Sequence, residues 1–139
     1  MKVVVDISIW SEVLRRRKRG VSRHAEELQE LIDEGRVALL GPVRQELLSG
    51  VKTQTQFDQL RDTMRAFPDI ELETEDFEEA ALAFTACRAK GIQGSNTDLL
   101  ICAVAIRREY EVFTSDEDFT HFQHALKDLS LYEPRFTED

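Results

Sequence analysis

The first apolar run of the chain is a β-branched triplet, Val3-Val4-Val5, that stops at a carboxylate, Asp6. A run without alternating polar residues leaves no face for water, which is typical of a strand in a parallel sheet covered on both sides. Parallel strands need long crossover connections, and these are usually helices. The sequence therefore predicts the α/β class, with helices packed on both faces of a mainly parallel sheet.

The rest of the chain repeats this alternation of short apolar runs and helical segments. Four further runs predict strands, which gives a sheet of four to five strands: 37–40, 70–72, 112–114 and 129–131. The segment 97–107 is apolar all round and rich in Leu and Ala, so it predicts a central helix buried on most sides. Because no repeat or low-complexity linker interrupts the order, residues 1–139 are predicted to form a single domain.

Composition limits the function classes. The chain has 27 Asp and Glu against 18 Lys and Arg, a net charge of −9, which argues against a nucleic-acid coat protein held by charge alone. An enzyme that acts on nucleic acid stays compatible with it. Two cysteines, Cys87 and Cys102, lack zinc-site spacing and are too few for a disulfide scaffold, which favours a reducing compartment. Without a signal peptide or an apolar run of membrane-spanning length, the protein is expected to be cytoplasmic and off the membrane.

Four acids stand at predicted strand ends or in the first turns of helices: Asp6, Glu46, Asp98 and Asp116. The carboxyl ends of parallel strands meet at one edge of the sheet, so these side chains are expected to converge. Two unit charges about 5 Å apart repel by roughly 3 kcal/mol at an effective dielectric constant of 20, so the cluster calls for divalent cations. An all-oxygen set favours one or two Mg²⁺ or Mn²⁺ ions and hydrolysis of a phosphate ester by metal-activated water.

Each acid taken alone also has a simpler explanation. Asp6 can cap the helix that follows it, with Ser8 as another candidate cap. Asp98 and Asp116 can be first-turn acids placed for the helix dipole, and Glu46 can be an ordinary solvated helix residue. The case for a metal site therefore depends on all four acids occurring together.

A run of five positive residues stands out in this acidic chain: Arg15, Arg16, Arg17, Lys18 and Arg19. Such a run is either a solvated helix end or a contact for phosphate. Arg44, two residues before Glu46, is a second candidate for contact with a phosphate-bearing substrate.

Four segments in order carry a resemblance to a known family: VVVDISIW at 3–10, RQEL at 44–47, NTDLLICA at 96–103 and TSDEDF at 114–119. Together they resemble PIN domains, in particular the VapC-type ribonuclease toxins of prokaryotic toxin–antitoxin pairs. The resemblance implies a PIN-like three-layer α/β/α sandwich. It also implies an endoribonuclease dependent on Mg²⁺ or Mn²⁺, a small VapB-type antitoxin that inhibits it, and a homodimer.

The resemblance assigns roles to individual residues. Asp6, Glu46, Asp98 and Asp116 match the catalytic, metal-binding acids of the family, with Glu46 acting directly or through water. Asp118 matches a further, less regular acid of the last motif. Two hydroxyl residues, Ser8 and Thr114, match those that lie beside the acids; no histidine base accompanies them, so they are expected to orient carboxylates.

Two other functions fit parts of the sequence. A phosphatase of the haloacid-dehalogenase type also begins with a strand-end Asp, but it needs a second Asp two residues later, where this chain has Ser8. The other alternative is a PIN-like interaction module that binds a basic peptide or a metal without turnover. Such modules usually lose one or more of the acids, and this chain has all four.

Overall fold

A computed structural model describes residues 1–15 and 22–135, with only the backbone of Arg15. This part of the chain forms three strands and seven helices. In chain order they are β1 (Val3–Val5), α1 (Ile7–Arg15), α2 (Arg23–Asp33), β2 (Val37–Ala38), α3 (Gly41–Ser49), α4 (Gln54–Met64), α5 (Thr74–Ala89), α6 (Asn96–Arg108), β3 (Glu111–Phe113) and α7 (Asp118–Ala125).

The three strands form one parallel sheet in the order β2-β1-β3. Val3 pairs with Val37 on one side and with Glu111 on the other, so β1 is the central strand. The backbone N–H of Asp6 donates to the carbonyl of Phe113 at 2.9 Å, which brings the ends of β1 and β3 to the same edge. The predicted α/β class and parallel pairing are confirmed.

The sheet is narrower than the four to five strands predicted. Neither outer run, 70–72 or 129–131, forms a full strand. One isolated parallel bridge is found at each edge of the sheet: Leu39 pairs with Asp69, just before the first run, and Val112 pairs with Leu131. At the first edge, backbone groups beyond Ile70 are taken by side chains. The carbonyl of Glu71 accepts from Arg108, and the N–H of Glu73 donates to Asp76. Those groups cannot also extend a strand ladder, so the run ends early.

Both faces of the sheet are covered. Val3, Val4 and Val5 point to alternate faces, and all three are fully buried. Helix α6 packs against β1 and β3, and α5 packs along α6. All residues from 99 to 105 are buried, which confirms the predicted central helix. Among the described residues, none of the helices has both the length and the apolar character needed to span a bilayer.

A buried carboxylate ties the start of α5 to the end of α6. The side chain of Asp76 is fully buried and accepts hydrogen bonds from Arg107 at 2.6 Å and from both terminal nitrogens of Arg108 at 2.7 and 3.0 Å. Asp76 also accepts from the backbone N–H of Glu73 and completes a capping box for α5. The hydrogen bonds from Arg108 in particular hold the pKa of Asp76 well below its usual range, although burial opposes them.

A second buried carboxylate anchors the segment after α7. Glu27 on α2 is fully buried and accepts hydrogen bonds from the hydroxyl of Tyr132 and, at 2.9 Å, from the guanidinium of Arg135. Arg135 also bonds Glu34 at 2.7 Å. Burial by itself would raise the pKa of Glu27, but the bonds from Tyr132 and Arg135 outweigh it and lower that pKa.

Candidate functional site

Asp6 lies between the central strand and the first helix, and its side chain is almost wholly buried, with 2% exposed. One carboxylate oxygen, Oδ2, accepts hydrogen bonds from the hydroxyls of Ser8 and Thr114, each at 2.8 Å. The other oxygen, Oδ1, is buried and has no hydrogen-bond partner within the described ranges. Burying a carboxylate oxygen without a hydrogen-bond partner costs free energy, so the lack of a partner for Oδ1 needs an explanation.

Ser8 does not cap helix α1. The helix begins one residue earlier, at Ile7, and the carbonyl of Asp6 already accepts from the backbone N–H of Ile9 at 3.1 Å. Asp6 therefore takes the capping position, because its side chain also accepts from the N–H of Ser8 at 3.4 Å. The hydroxyl of Ser8 is thereby left to hold the Asp6 carboxylate.

The loop after β3 is joined to α1 by the same hydroxyls. The Oγ atom of Ser8 accepts from the backbone N–H of Ser115 at 3.0 Å, and Oγ1 of Thr114 accepts from that of Asp116 at 3.0 Å. The two hydroxyl oxygens lie 3.2 Å apart. These bonds fix the position of the Asp116 backbone relative to Asp6, as expected for hydroxyls that orient the acids.

Asp98 approaches from the amino end of α6. Its N–H donates to the hydroxyl of Ser95 at 3.0 Å, and its Oδ2 accepts from the N–H of Ser95 at 3.4 Å, which forms a capping box. Burial raises the pKa of the Asp98 carboxyl, and the negative charges of Asp6 and Asp116 add to the rise against the opposing hydrogen bonds from Ser95. The carboxylates of Asp6 and Asp116 are thus near enough to Asp98 to repel its negative charge. Sequence reasoning missed the role of Ser95, although its spacing of three residues from Asp98 is the signal of a capping box.

The last predicted acids occupy the turn into α7. Oδ1 of Asp116 accepts from the backbone N–H of Asp118 at 2.9 Å, and this bond starts the short helix. The side chain of Asp118 is exposed, and Asp116 is half-buried. The structure thus separates the two by environment, with Asp116 the less exposed of the pair.

Glu46 reaches the same region from α3. Its exposed side chain lines an open cleft of about 490 Å³ together with Ile7 and Thr97. Those two residues are the immediate neighbours of Asp6 and Asp98 in the chain. The cleft therefore brings Glu46 close to the chain neighbours of Asp6 and Asp98.

The donor set fits a hard divalent cation. It is made of carboxylates, and the unpartnered Oδ1 of Asp6 is the kind of atom that a cation would satisfy. Within the described ranges, no group of three or more His, Cys, Asp and Glu side chains already has the geometry of a metal cage. Mg²⁺ usually keeps several waters and takes only one or two carboxylates from the protein, so a preformed cage is not required.

The predicted RNA contacts have different outcomes. The guanidinium of Arg44 donates to Asp69 at 2.8 Å, to the carbonyl of Met64 at 2.9 Å and to the carbonyl of Phe67. Its donors are committed to closing the end of α4, which the sequence did not indicate. Residues 16–19 of the basic run, and the side chain of Arg15, lie outside the described residues.

Comparison with known proteins finds one matching family and several solved structures with a similar fold. The sequence model of the family described as PIN domain matches residues 3–125. Curated protein sequences give no significant match.

Solved structures of toxin–antitoxin proteins are similar in fold. The structure of VapBC2 from Rickettsia felis bound to a DNA fragment from their promoter matches with a TM-score of 0.76 and 20% identity, over 95% of this chain and 98% of that one. FitAcB from Neisseria gonorrhoeae matches with a TM-score of 0.74 and 20% identity, over 95% and 97% of the two chains. VapBC-5 from Mycobacterium tuberculosis, a member of the VapBC family of toxin–antitoxin systems, matches with a TM-score of 0.65 and 17% identity, over 96% and 99%.

Proposed function

This chain belongs to the PIN domain family, and on that basis we propose that it is a metal-dependent endoribonuclease toxin of a VapBC-type toxin–antitoxin system. The observation that carries the proposal is the Asp6 carboxylate. One of its oxygens is fixed by Ser8 and Thr114, while the other is buried and has no hydrogen-bond partner among the described residues. Such an arrangement is costly unless a cation is bound there.

The residues that would hold Mg²⁺ or Mn²⁺ are Asp6, Asp98 and Asp116, with Glu46 directly or through water and Asp118 as a further candidate. The bound ion would supply an activated water and offset the negative charge that develops on phosphorus oxygens. Ser8 and Thr114 keep the Asp6 carboxylate at a fixed angle, and the backbone N–H of Ser95 donates to the carboxylate of Asp98. Glu46, on the open side of the cleft, would face the incoming RNA.

The proposal includes two protein partners. A small VapB-type antitoxin with a basic segment would suit the acidic cleft, and similarity in fold to proteins solved as VapBC and FitAB complexes supports a partner of this kind. Homodimerisation is the second expected association.

The direct test is cleavage of RNA by the purified protein. We expect cutting with Mg²⁺ or Mn²⁺ and none with EDTA. Asp98→Asn should lower kcat by more than about 100-fold, since removing even an outer partner of a metal ligand typically costs 10–100-fold. The matched control is Glu79→Gln, an exposed acid on α5 and outside all four site motifs, which should keep full activity.

Two outcomes would count against this mechanism. Cleavage at the normal rate by a folded Asp98→Asn variant would remove Asp98 from it. Expression of the wild type should arrest growth while Asp6→Ala should not, and equal toxicity of the two would favour an interaction module without turnover.

A further inference from the structure

A larger groove opens beside the cleft, between α1, α3 and α4. Its volume is about 1050 Å³, and it shares Glu46 and Gly50 with the cleft that Ile7 and Thr97, the chain neighbours of Asp6 and Asp98, also line. Small-molecule sites typically measure about 300–1,000 Å³, so this groove has room for more than one nucleotide. A polymer bound at the acids can continue into it without leaving the surface of the protein.

The floor of the groove is apolar. Leu47 from α3 is buried, and Leu14 from α1 and Leu60 from α4 are half-buried. These aliphatic side chains offer apolar area that the face of a nucleobase can bury.

The rim is polar and carries a positive charge. Gln56 and Gln59 stand three residues apart on α4 and thus on one side of that helix, and both are exposed. In the described part of the chain, neither side-chain amide bonds to protein, whereas Gln54, on the same helix but outside the groove, donates to Asp58 at 2.8 Å. Lys52 on the α3–α4 connection adds an exposed ammonium group.

We propose that this groove binds the RNA nucleotides next to the scissile phosphate and contributes to the choice of cleavage site. Gln56 and Gln59 hydrogen-bond to a base edge, the leucine floor receives the base face, and Lys52 pairs with a backbone phosphate. The inference rests on the proposed ribonuclease function. A nucleic acid is favoured over a peptide because Lys52 complements a phosphate and the groove continues the cleft where the phosphodiester would react.

The test compares three variants: the double substitution Gln56→Ala with Gln59→Ala, Lys52→Ala, and the control Gln54→Ala. The substrates are single-stranded RNA oligonucleotides that differ only at the positions flanking the cut. For the preferred sequence, the double variant should show a kcat/KM at least about tenfold lower, mainly through KM, and little preference among sequences. Lys52→Ala should raise KM evenly for all sequences, and Gln54→Ala should behave as the parent.

Binding decides the inference separately from cleavage. In the Asp6→Asn background, which cannot cut, fluorescence anisotropy should show about tenfold weaker binding of the preferred oligonucleotide when both glutamines are replaced. Unchanged affinity and unchanged sequence preference in the double variant would overturn the groove assignment while leaving the ribonuclease proposal standing. Unchanged RNA binding together with lost binding of a basic, leucine-containing peptide would assign the groove to a protein partner instead. A parent protein that cuts no RNA would refute the proposed function, and the anisotropy comparison would still decide the groove.

Discussion

The two carboxylate oxygens of Asp6 have different surroundings. Oδ2 accepts from Ser8 and Thr114, so the plane of the carboxylate is set by the protein. Oδ1 is then held in a buried position where no described protein atom donates a hydrogen bond to it. Thr114 contributes most to this order because its hydroxyl also accepts from the N–H of Asp116 and thus serves two acids at once.

Replacing Thr114 by Val tests this role at nearly constant shape. The variant should fold, but kcat for RNA cleavage and affinity for Mn²⁺ should each fall about 10–100-fold, because Asp6 and the Asp116 loop lose a common anchor. Enzyme assays and metal titration measure the two effects. Thr85→Val is the matched control, since that threonine is exposed on α5 and its hydroxyl bonds only the carbonyl of Ala81. Normal metal affinity in Thr114→Val would assign the hydroxyl to stability alone.

Single residues show how far sequence reasoning reached. The positions of Asp6 and Asp116 follow from a rule about strand ends, so the sequence was sufficient to predict that they lie at one edge. The contacts of Arg44 depend on where α4 ends in space, at Met64 and Phe67, and no local pattern around Arg44 carries that information. Of the two candidate caps for α1, Asp6 fills the position, and Ser8, two residues later, lies within the helix.

Among the helices, α5 and α6 depend on one buried carboxylate. Asp76→Asn should lower the free energy of unfolding by about 3 kcal/mol, because Arg107 and Arg108 lose a charged partner inside the protein. Chemical denaturation measures the loss. Glu79→Gln, an exposed acid on the same helix, is the control and should change stability by less than about 0.5 kcal/mol.

The contacts of Asp76 with Arg107 and Arg108 also predict how stability depends on pH. Because the pKa of Asp76 is depressed in the folded protein, its contribution to stability is fully present above the unfolded pKa of about 3.9 and is lost as the pH falls toward the folded pKa. The difference in unfolding free energy between wild type and Asp76→Asn should therefore be constant from about pH 5 to 8 and shrink at pH 3. Because both proteins contain the other acids, including Glu27, the contributions of those acids cancel in this difference. A gap that stays constant down to pH 3 would contradict the assignment.

Elements differ in how well their sequences predict them. Within segment 97–107, residues 99–106 are apolar all round and favour a buried helix, which is found as α6. The runs 70–72 and 129–131 look like edge strands, yet edge strands depend on partners and not on their own residues alone. Beyond Ile70, bonds from Arg108 and Asp76 compete for the backbone, and Arg108 lies on a helix far away in the chain.

At the level of the whole molecule, the net charge of −9 bears on metal binding. Four of the negative charges belong to the acids proposed to hold the metal, Asp6, Glu46, Asp98 and Asp116, so part of the acidity comes from the proposed site itself. A cation bound there would stabilise the folded protein by mass action. At a concentration one hundred times its Kd, the gain is about 2.7 kcal/mol.

Thermal denaturation should show this gain. Adding Mg²⁺ or Mn²⁺ to the protein in EDTA-treated buffer should raise Tm by about 5 °C or more, and NaCl at equal ionic strength should not. The Asp6→Asn variant should respond much less. An equal rise in both proteins would show that the ions act on the general acidity of the surface and not on the cleft.

The central place of β1 in the sheet has a consequence for how the protein opens. Each outer run beside the three strands is held by a single bridge, so local opening there costs little free energy. In contrast, β1 is hydrogen-bonded on both sides and all its side chains are buried. Amide hydrogens of residues 3–6 should thus exchange with solvent only when the whole molecule unfolds. Asp6 follows directly on this slowest-exchanging strand, and its own N–H bonds Phe113. The protein can therefore release a nucleic acid or a protein partner, and loosen at the edges of its sheet, while the Asp6 carboxylate keeps the same orientation.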